Sequence, residues 1–287
     1  MNDVQLINGI ALSKYKTLSA TPGKYFWRAF MAGIFLGVAT LFAFTMGAGF
    51  QDNPTVARLA LASTFGIGLV AISFLGAELF TGNCFTAIIP VFDRKVKFSK
   101  TLGLWGMCYL GNACGLILVV SVFVLSGAQR ASLMSYIQPI IEARLDFNVW
   151  QLLLKAILCN FVVCIAAYGN MKMKNEAAKL FFILLFVTAF VFPGLEHCIA
   201  NIGLFTLGVV GLGGAVDWTM MPLHMLIATI GNIIGGSILL GLPVFLGFRN
   251  KGNEEAAVAA LKEFFENFHK NNVKIVRLDA VGYVIKK

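Results

Sequence analysis

The chain has 287 residues, of which 58% are hydrophobic and 13% are charged, and its formal net charge is +9. Soluble globular proteins carry about 25% charged residues. The apolar residues here also occur in long runs, so the composition excludes an ordinary soluble domain and indicates a multi-pass membrane protein. The basic residues lie in loops and tails between those runs, where membrane orientation alone explains them, so we predict no nucleic-acid partner.

Six membrane-spanning segments are predicted along the chain. They cover about residues 26–49, 59–92, 102–125, 150–168, 180–210 and 223–248. The resulting pore domain, 26–248, is preceded by a polar segment with a short amphipathic helix, 1–25, which has no signal-peptide core. It is followed by a tail, 249–287, with helical periodicity at 254–267. The longer connection at 126–148 carries apolar residues and is expected to pack back onto the protein.

Clusters of lysine and arginine set the predicted orientation. They occur in the N-terminal segment and in the loops at 93–100, 169–179 and 249–251, which a six-span chain places on one side of the membrane. The positive-inside rule assigns that side to the cytoplasm. We therefore expect both termini to be cytoplasmic, in a plasma (inner) membrane, with the spans embedded in the lipid bilayer.

Two altered copies of one motif, Gly-x-Glu-x-x-x-x-Asn, interrupt the second and fifth spans, at residues 76–83 and 194–201. Each copy is followed about 35 residues later by a Gly-Asn-x-x-Gly motif, at 111–115 and 231–235. Two motifs that recur in the same order indicate an internal duplication.

The duplication predicts the fold class. The repeats cover about residues 26–125 and 149–248, and each holds three spans, so the second copy must run inverted relative to the first. Inverted repeats with discontinuous helices place a transport pathway at their interface near the middle of the membrane. We therefore predict an all-α membrane protein with six transmembrane helices in two inverted three-helix repeats, the second and fifth helices being discontinuous.

Each break places a glutamate and an asparagine in apolar sequence, Glu78 with Asn83 and Glu196 with Asn201. An ionisable side chain inside a membrane is a functional candidate, because leaving it charged in lipid costs about 2.5 kcal/mol or more. The carboxylates either bind an ion or cap backbone amides that the broken helix leaves free. Because the glutamate is repeated in register with the break, the capping interpretation is favoured.

His197 breaks the symmetry between the two copies, because Leu79 occupies the matching position of the first break. It is the only histidine deep in a predicted span, and it follows a Pro-Gly kink. An imidazole there can exchange a proton with a small substrate or form a hydrogen bond with it. Thr81, in the first break, either offers a hydroxyl to an anion or caps the local turn.

Three further side chains have two interpretations each. Asn160, inside the fourth span, either lines the path or locks two helices together. Phe65 and Phe190 each lie upstream of a break, and they form either a hydrophobic gate or part of the core.

Several function classes are excluded. The chain has no Gly-x-x-x-x-Gly-Lys-[Ser/Thr] loop, which argues against an ATP-driven motor. Its six cysteines lie in or beside apolar segments without a Cys-x-x-Cys pair, as expected of reduced, buried side chains and not of a disulfide framework or metal site. One buried histidine with dispersed cysteines is a poor catalytic set. We predict no enzymatic activity, no cofactor and no metal.

Together these motifs resemble the formate/nitrite transporter family, over about residues 20–250. The residues that carry the resemblance are Gly76-Ala77-Glu78-Leu79-Phe80-Thr81, Leu158-Cys159-Asn160, Gly194-Leu195-Glu196-His197-Cys198-Ile199-Ala200-Asn201 and Gly231-Asn232-Ile233-Ile234-Gly235. The resemblance implies an aquaporin-like protomer in a homopentamer, with one pore per protomer. It implies substrates that are small monovalent anions or their weak acids, such as formate, nitrite, hydrosulfide or lactate.

The resemblance also implies roles for individual residues. His197 is similar to the family's central pore histidine, Thr81 to the threonine of the first broken helix, and Asn160 to its amide partner. Arg144 falls where family members often have a vestibule lysine, and arginine keeps the charge but does not release its proton. Two apolar constrictions are implied at four side chains: Phe65, Leu69, Leu79 and Phe190.

These roles suggest a mechanism. An anion enters a cationic vestibule, is stabilised and protonated near His197 and Thr81, and crosses the apolar constrictions as the neutral acid, which avoids moving a charge through them. Two alternatives come from other classes, a water- or glycerol-type channel and a non-transporting membrane subunit. The first typically carries Asn-Pro-Ala at its breaks, which this chain lacks, and the second would not need His197. A channel and a proton-coupled transporter are both compatible with these residues.

Overall fold

The computed structural model describes residues 2–128, 131–249, 262–263 and 265–266, and every regular element within them is helical. In chain order the α-helices are α1 (Asp3–Ala20), α2 (Pro22–Ala48), α3 (Pro54–Phe65), α4 (Ile67–Phe74), α5 (Phe80–Thr86), α6 (Ile89–Phe92), α7 (Phe98–Leu125), α8 (Ala131–Leu145), α9 (Val149–Lys172), α10 (Glu176–Val191), α11 (Cys198–Leu212), α12 (Met221–Ile234) and α13 (Leu242–Phe248). A 3-10 turn (Gly213–Ala215) follows α11, and a π-helical segment (Gly235–Gly241) joins α12 to α13. Most of the predicted tail helix at 254–267 lies outside the described residues.

Six helical stretches are long and apolar enough to cross a membrane. They are Pro22–Ala48, Pro54–Phe74, Phe98–Leu125, Val149–Lys172, Cys198–Ala215 and Met221–Phe248. The predicted all-α fold with six spans is confirmed. The inverted relation of the two halves stays a prediction.

Both predicted helix breaks occur at the matched motifs. The second span is interrupted between α4 and α5, and the fifth between α10 and α11. At the breaks Gly76 and Gly194 have φ angles of +69° and +78°. Residues with a side chain rarely adopt such angles, so the glycines allow the chain to turn before each helix resumes.

The Gly-Asn-x-x-Gly motifs allow close helix packing in both halves. A Cβ atom added to Gly115 of α7 would lie 2.0 Å from the carbonyl oxygen of Phe30 in α2. One added to Gly235 would lie 2.1 Å from the carbonyl oxygen of Ile157 in α9. Because the obstacle is backbone in both cases, only glycine fits. Matched glycines thus bring together matched helix pairs, as the predicted duplication leads one to expect.

One element differs between the halves. The stretch after α12 is π-helical, whereas α7 is α-helical throughout. Turns of π-helix are rare in proteins overall, but those that occur are often found at functional sites. A Cβ atom at Gly236 would lie 2.7 Å from Nδ2 of Asn160, and Oγ of Ser237 donates to the Cys84 carbonyl of α5 at 2.8 Å. The π-helical segment therefore packs against both the first break and α9.

The N-terminal helix α1, with 18 residues, is fastened to the bundle at several points. The Tyr15 hydroxyl donates to the Ala87 carbonyl beside α5 at 2.9 Å. Burial raises the pKa of the Asp3 carboxyl, but hydrogen bonds from Lys172 and Tyr168 outweigh it, so that pKa is lowered overall. The charged carboxylate thus stabilises this attachment at neutral pH, and the contribution is lost as the pH falls through the lowered pKa.

The connection at 126–148 contains α8, which packs against α2 and α11. Its apolar side chains Leu133, Ile137 and Ile141 are buried. The connection therefore packs back onto the protein, as predicted, and it carries Arg144 at its end.

We predict that Gly115→Ala destabilises the protein. Alanine favours a helix by up to about 1 kcal/mol over glycine, but the added methyl group overlaps the backbone of α2, and overpacking of this kind costs about 1–3 kcal/mol. The measurement is thermal unfolding in detergent. Gly106→Ala in the same helix is the control, because no atom lies within 4 Å of its added Cβ. Equal melting temperatures for the two variants would contradict the prediction.

Candidate functional site

The two breaks bring His197 and Thr81 into contact. His197 is the N-cap of α11 and Thr81 lies in the first turn of α5. The Nε2 atom of His197 is 3.0 Å from the Thr81 hydroxyl oxygen, although 116 residues separate them in sequence. Both side chains are buried. The structure therefore joins the two residues that distinguish the copies of the repeated motif.

A second hydrogen bond fixes the form of the histidine. Its Nδ1 atom accepts from the backbone N–H of Ala200 at 3.1 Å, which caps the start of α11. A ring nitrogen that accepts carries no proton, so the hydrogen-bond network assigns the proton of the neutral ring to Nε2. Nε2–H then donates toward Thr81, and the threonine hydroxyl keeps its own proton available for another acceptor.

Asn160 braces the site from α9. Its Nδ2 atom donates to the carbonyl oxygens of Thr81 at 3.2 Å and Asn232 at 2.6 Å. Both amide protons are thereby used on backbone, in agreement with the interpretation that Asn160 locks helices together. The role of Asn160 in lining a pore stays a prediction.

Each glutamate at a break is paired with a cation and with the asparagine of the same motif. Glu78 accepts from Lys14 of α1 at 2.8 Å and from Asn83 at 3.0 Å. Glu196 accepts from Arg144 of α8 at 2.9 Å and from Asn201 at 2.9 Å. Lys14 also donates to Asn83, and Arg144 to Asn201.

The expectation that the glutamates cap backbone amides is therefore wrong. Asn112 and Asn232 perform this function. The Asn112 Oδ1 atom accepts from the N–H of Phe80 at 2.8 Å, and its Nδ2 atom donates to the Glu78 carbonyl at 2.8 Å. Asn232 makes the same two contacts, with the N–H of Cys198 and the carbonyl of Glu196, at the same distances. An amide side chain bonds a free N–H and a free C=O together, which a carboxylate cannot do.

Lys14 is the residue that sequence reasoning did not place in the site. It lies 64 residues before its glutamate, as Arg144 lies 52 residues before Glu196. The available signal was positional, because each cation precedes the first full span of its repeat. It was weak, since several other lysines lie in the same N-terminal segment.

A vestibule of about 790 Å³ leads from α8 to the histidine. Its walls include His197, Arg144, Phe65 and Phe190, together with Arg58 of α3. The Phe190 ring stacks on the His197 ring with centroids 5.9 Å apart, and it meets Phe65 edge-on at 6.4 Å. Two arginines thus line the vestibule, and aromatic rings lie against the histidine.

The remaining predicted constriction residues, Leu69 and Leu79, are buried beside the first break. Leu79 immediately precedes α5, and Leu69 lies in α4. They do not line the vestibule. Their role as a second constriction stays a prediction.

The cysteines contribute to the breaks as weak donors. The thiol of Cys108 donates to the Glu78 carbonyl, and that of Cys164 to the Thr81 carbonyl, both at 3.3 Å. All six cysteines are free, and five are buried, whereas Cys114 is exposed. The expectation of burial is therefore wrong for Cys114, because its side of α7 faces outward from the single chain.

Comparison with known proteins gives consistent matches. A family model described as "Formate/nitrite transporter" matches residues 4–246. The "Uncharacterized transporter YwcJ" of Bacillus subtilis (strain 168) is 32% identical over 248 residues, which are 83% of this chain and 94% of the relative. A solved "FNT family ion channel" superposes with a TM-score of 0.78 at 27% identity, over 85% of this chain and 98% of its own. A solved "Pentameric formate channel with formate bound" gives a TM-score of 0.69 at 25% identity, over 78% and 96%.

We predict that Lys14→Met and Arg144→Met each destabilise the protein by about 2 kcal/mol. Breaking a fully buried ion pair costs about 3–5 kcal/mol, and both cations are partly exposed here. Unfolding in detergent measures the loss. Adding Glu78→Gln to Lys14→Met should restore part of it, because the exposed Arg28, 3.5 Å from Glu78, compensates the buried carboxylate only in part. A double variant less stable than Lys14→Met would contradict this account.

Proposed function

The chain belongs to the formate/nitrite transporter family, and from this premise we propose that it passes small monovalent anions of the formate or nitrite type, or their conjugate weak acids, across a membrane. It is a multi-pass membrane transport protein and not an enzyme. Membership in a transporter family argues against both earlier alternatives, a water- or glycerol-type channel and a non-transporting subunit. Because one solved relative is described as a pentameric formate channel, we propose a homopentamer with formate among its substrates.

One observation carries the site assignment: two buried donors converge where the two broken helices meet. Nε2–H of His197 and the hydroxyl of Thr81 lie 3.0 Å apart at the inner end of the vestibule. A small oxyanion inserted between them would accept a hydrogen bond from each. Hydrogen bonds from a neutral donor to a charged acceptor are worth about 1.5–3 kcal/mol. They offset part of the hydration free energy that the anion loses.

In this proposal the cationic side chains and the aromatic rings of the vestibule act on the substrate one after the other. Arg144 is already paired with Glu196, whereas Arg58 has no ion pair among the described residues. These cations attract an anion into the outer vestibule. Beyond them the Phe65 and Phe190 rings offer no polar atom of their own to a charge, so the neutral acid passes these rings at a lower cost than the anion.

The histidine acts as a hydrogen-bond donor in this proposal. For the ring to deliver a proton to a passing anion, a second proton must first occupy Nδ1, and the bond from the Ala200 N–H must then break. The vestibule is open to solvent, so the substrate takes its proton from hydronium there, which leaves water, and His197 stabilises the substrate. This refines the hypothesis drawn from sequence, in which the histidine was a candidate proton donor.

The orientation is also a proposal. We place both termini in the cytoplasm of a cell with the protein in its plasma membrane, which the basic residues around α1 and the loop at 93–100 support. Under this orientation α1 covers the cytoplasmic end of the path, and the vestibule beside α8 faces outward.

We predict that His197→Asn lowers formate flux into proteoliposomes by roughly tenfold or more, because a donor to a charged group is lost. Asparagine is a strong N-cap residue, so it keeps an acceptor for the Ala200 N–H while its shorter side chain no longer reaches Thr81. His197→Phe loses both contacts and serves as the comparison. Wild-type flux in His197→Asn, with normal assembly on gel filtration, would contradict a role for the Nε2 donor.

We predict that Thr81→Val lowers formate flux less than His197→Asn does, since it removes one hydroxyl and keeps the shape of the side chain. The two effects should not add, because the residues share one ligand and one hydrogen bond. Stopped-flow uptake by the single variants and the double variant gives the coupling. Additive losses would show that Thr81 and His197 act on the substrate independently.

A further inference from the structure

A side cavity adjoins the vestibule in the second half of the chain. It has a volume of about 390 Å³ and lies among α8, the start of α9 and the start of α12. It shares Arg58 and Arg144 with the vestibule. Its other polar walls include Lys155, His224, Glu196 and Asp146.

His224 lines this cavity, and one nitrogen of its buried ring lacks a partner. The residue is 1% exposed, and Phe147 and Phe205 hold its ring edge-on, each with centroids 5.3 Å away. Within the described part of the chain its Nδ1 atom has no hydrogen-bond partner. Its Nε2 atom is 3.8 Å from Glu196, which exceeds hydrogen-bonding distance. Buried polar atoms are nearly always satisfied, so an unpartnered nitrogen on a residue that lines the cavity calls for an explanation, and a ligand bound beside the ring would supply one.

The charges around the cavity favour an anion. Lys155 and Arg58 line it, and neither forms an ion pair or hydrogen bond with the described part of the chain. Glu196 is already neutralised by Arg144, which leaves Asp146 as the one acid opposing the two free cations. One further negative charge would balance the cavity.

Comparison of the two halves shows that two polar groups of this cavity, Lys155 and His224, are particular to the second. Arg28 and Lys155 directly precede Ala29 and Ala156, whose carbonyls accept from Asn112 and Asn232. In the first half Arg28 donates to the Gly76 carbonyl through Nε and Nη2, at 3.0 and 2.7 Å.

In the second half Lys155 makes no matching contact with Gly194. The position that matches His224, eight residues before the motif asparagine, is the buried Leu104 in the first half. The second half therefore has a free cation and a buried imidazole where the first half has a bound cation and a leucine.

We propose that this side cavity is a second anion site, which binds a small carboxylate or oxyanion between Lys155 and Arg58 with His224 as its hydrogen-bond partner. When Nδ1 carries a proton, it donates a hydrogen bond to an oxyanion. When Nδ1 carries none, it accepts a hydrogen bond from the conjugate acid, so the ring suits both forms of a weak acid. Because the site shares Arg58 with the vestibule, it loads anions into the transport path. Only the claim that this anion is also the transported substrate rests on the proposed function.

The direct test uses bromide as the probe. Crystals of the full chain soaked in sodium bromide should show anomalous density beside Lys155 Nζ and His224 Nδ1, and Lys155→Gln should abolish that peak while the vestibule stays unchanged. His224→Leu, which reproduces the first-half residue, should weaken it. Water alone in the cavity would overturn the proposal. So would a peak that survives Lys155→Gln, because it would mark an adventitious ion only.

A flux measurement tests the loading role. Lys155→Gln should raise the formate concentration for half-maximal flux roughly two- to fivefold, as expected for one partly solvated charge, with maximal flux unchanged. Lys174→Gln, in the loop after α9, is the matched control. Identical curves for the two variants would overturn the loading role. A wild-type protein that binds bromide at Lys155 yet carries no formate would refute the transport proposal and support the site.

Discussion

Two helices are interrupted inside the membrane, and the backbone groups freed there must find partners without water. Asn112 and Asn232 meet this requirement, each by joining an N–H and a C=O across its break. The glycines of the same motifs let the neighbouring helix approach closely enough for these bonds. The rest of the site depends on this bracing, because it holds His197 and Thr81 at hydrogen-bonding distance.

The buried charges follow the same plan in both halves. Each glutamate is neutralised by a cation that arrives on a helix outside the spans, Lys14 on α1 and Arg144 on α8. Pairing lowers the cost of burying a carboxylate, and it also fastens these helices over the ends of the path. The halves then diverge at one matched pair of cations, because Arg28 of the first half bonds the Gly76 carbonyl whereas Lys155 of the second lines a cavity.

The transport function follows from where polarity is placed along the path. Cations line the vestibule, aromatic rings surround its inner end, and two neutral donors meet at the break. This order suits a small anion that loses its charge before it crosses the apolar part. The similar channel structures agree with the fold. The bond from the Ala200 N–H to Nδ1 of His197 leaves Nε2–H as the donor of the neutral ring.

The sequence by itself determined the six spans, the two breaks and the residues that fill them, because hydropathy and motif recurrence are local patterns that survive without coordinates. It also singled out His197, through its mismatch with Leu79. Only the tertiary structure decided the partners: Lys14 on Glu78, the asparagine caps, the Nε2–H form of the histidine and the cavity beside His224. These contacts join residues many tens of positions apart, and packing of helices, not spacing along the chain, sets which side chains meet.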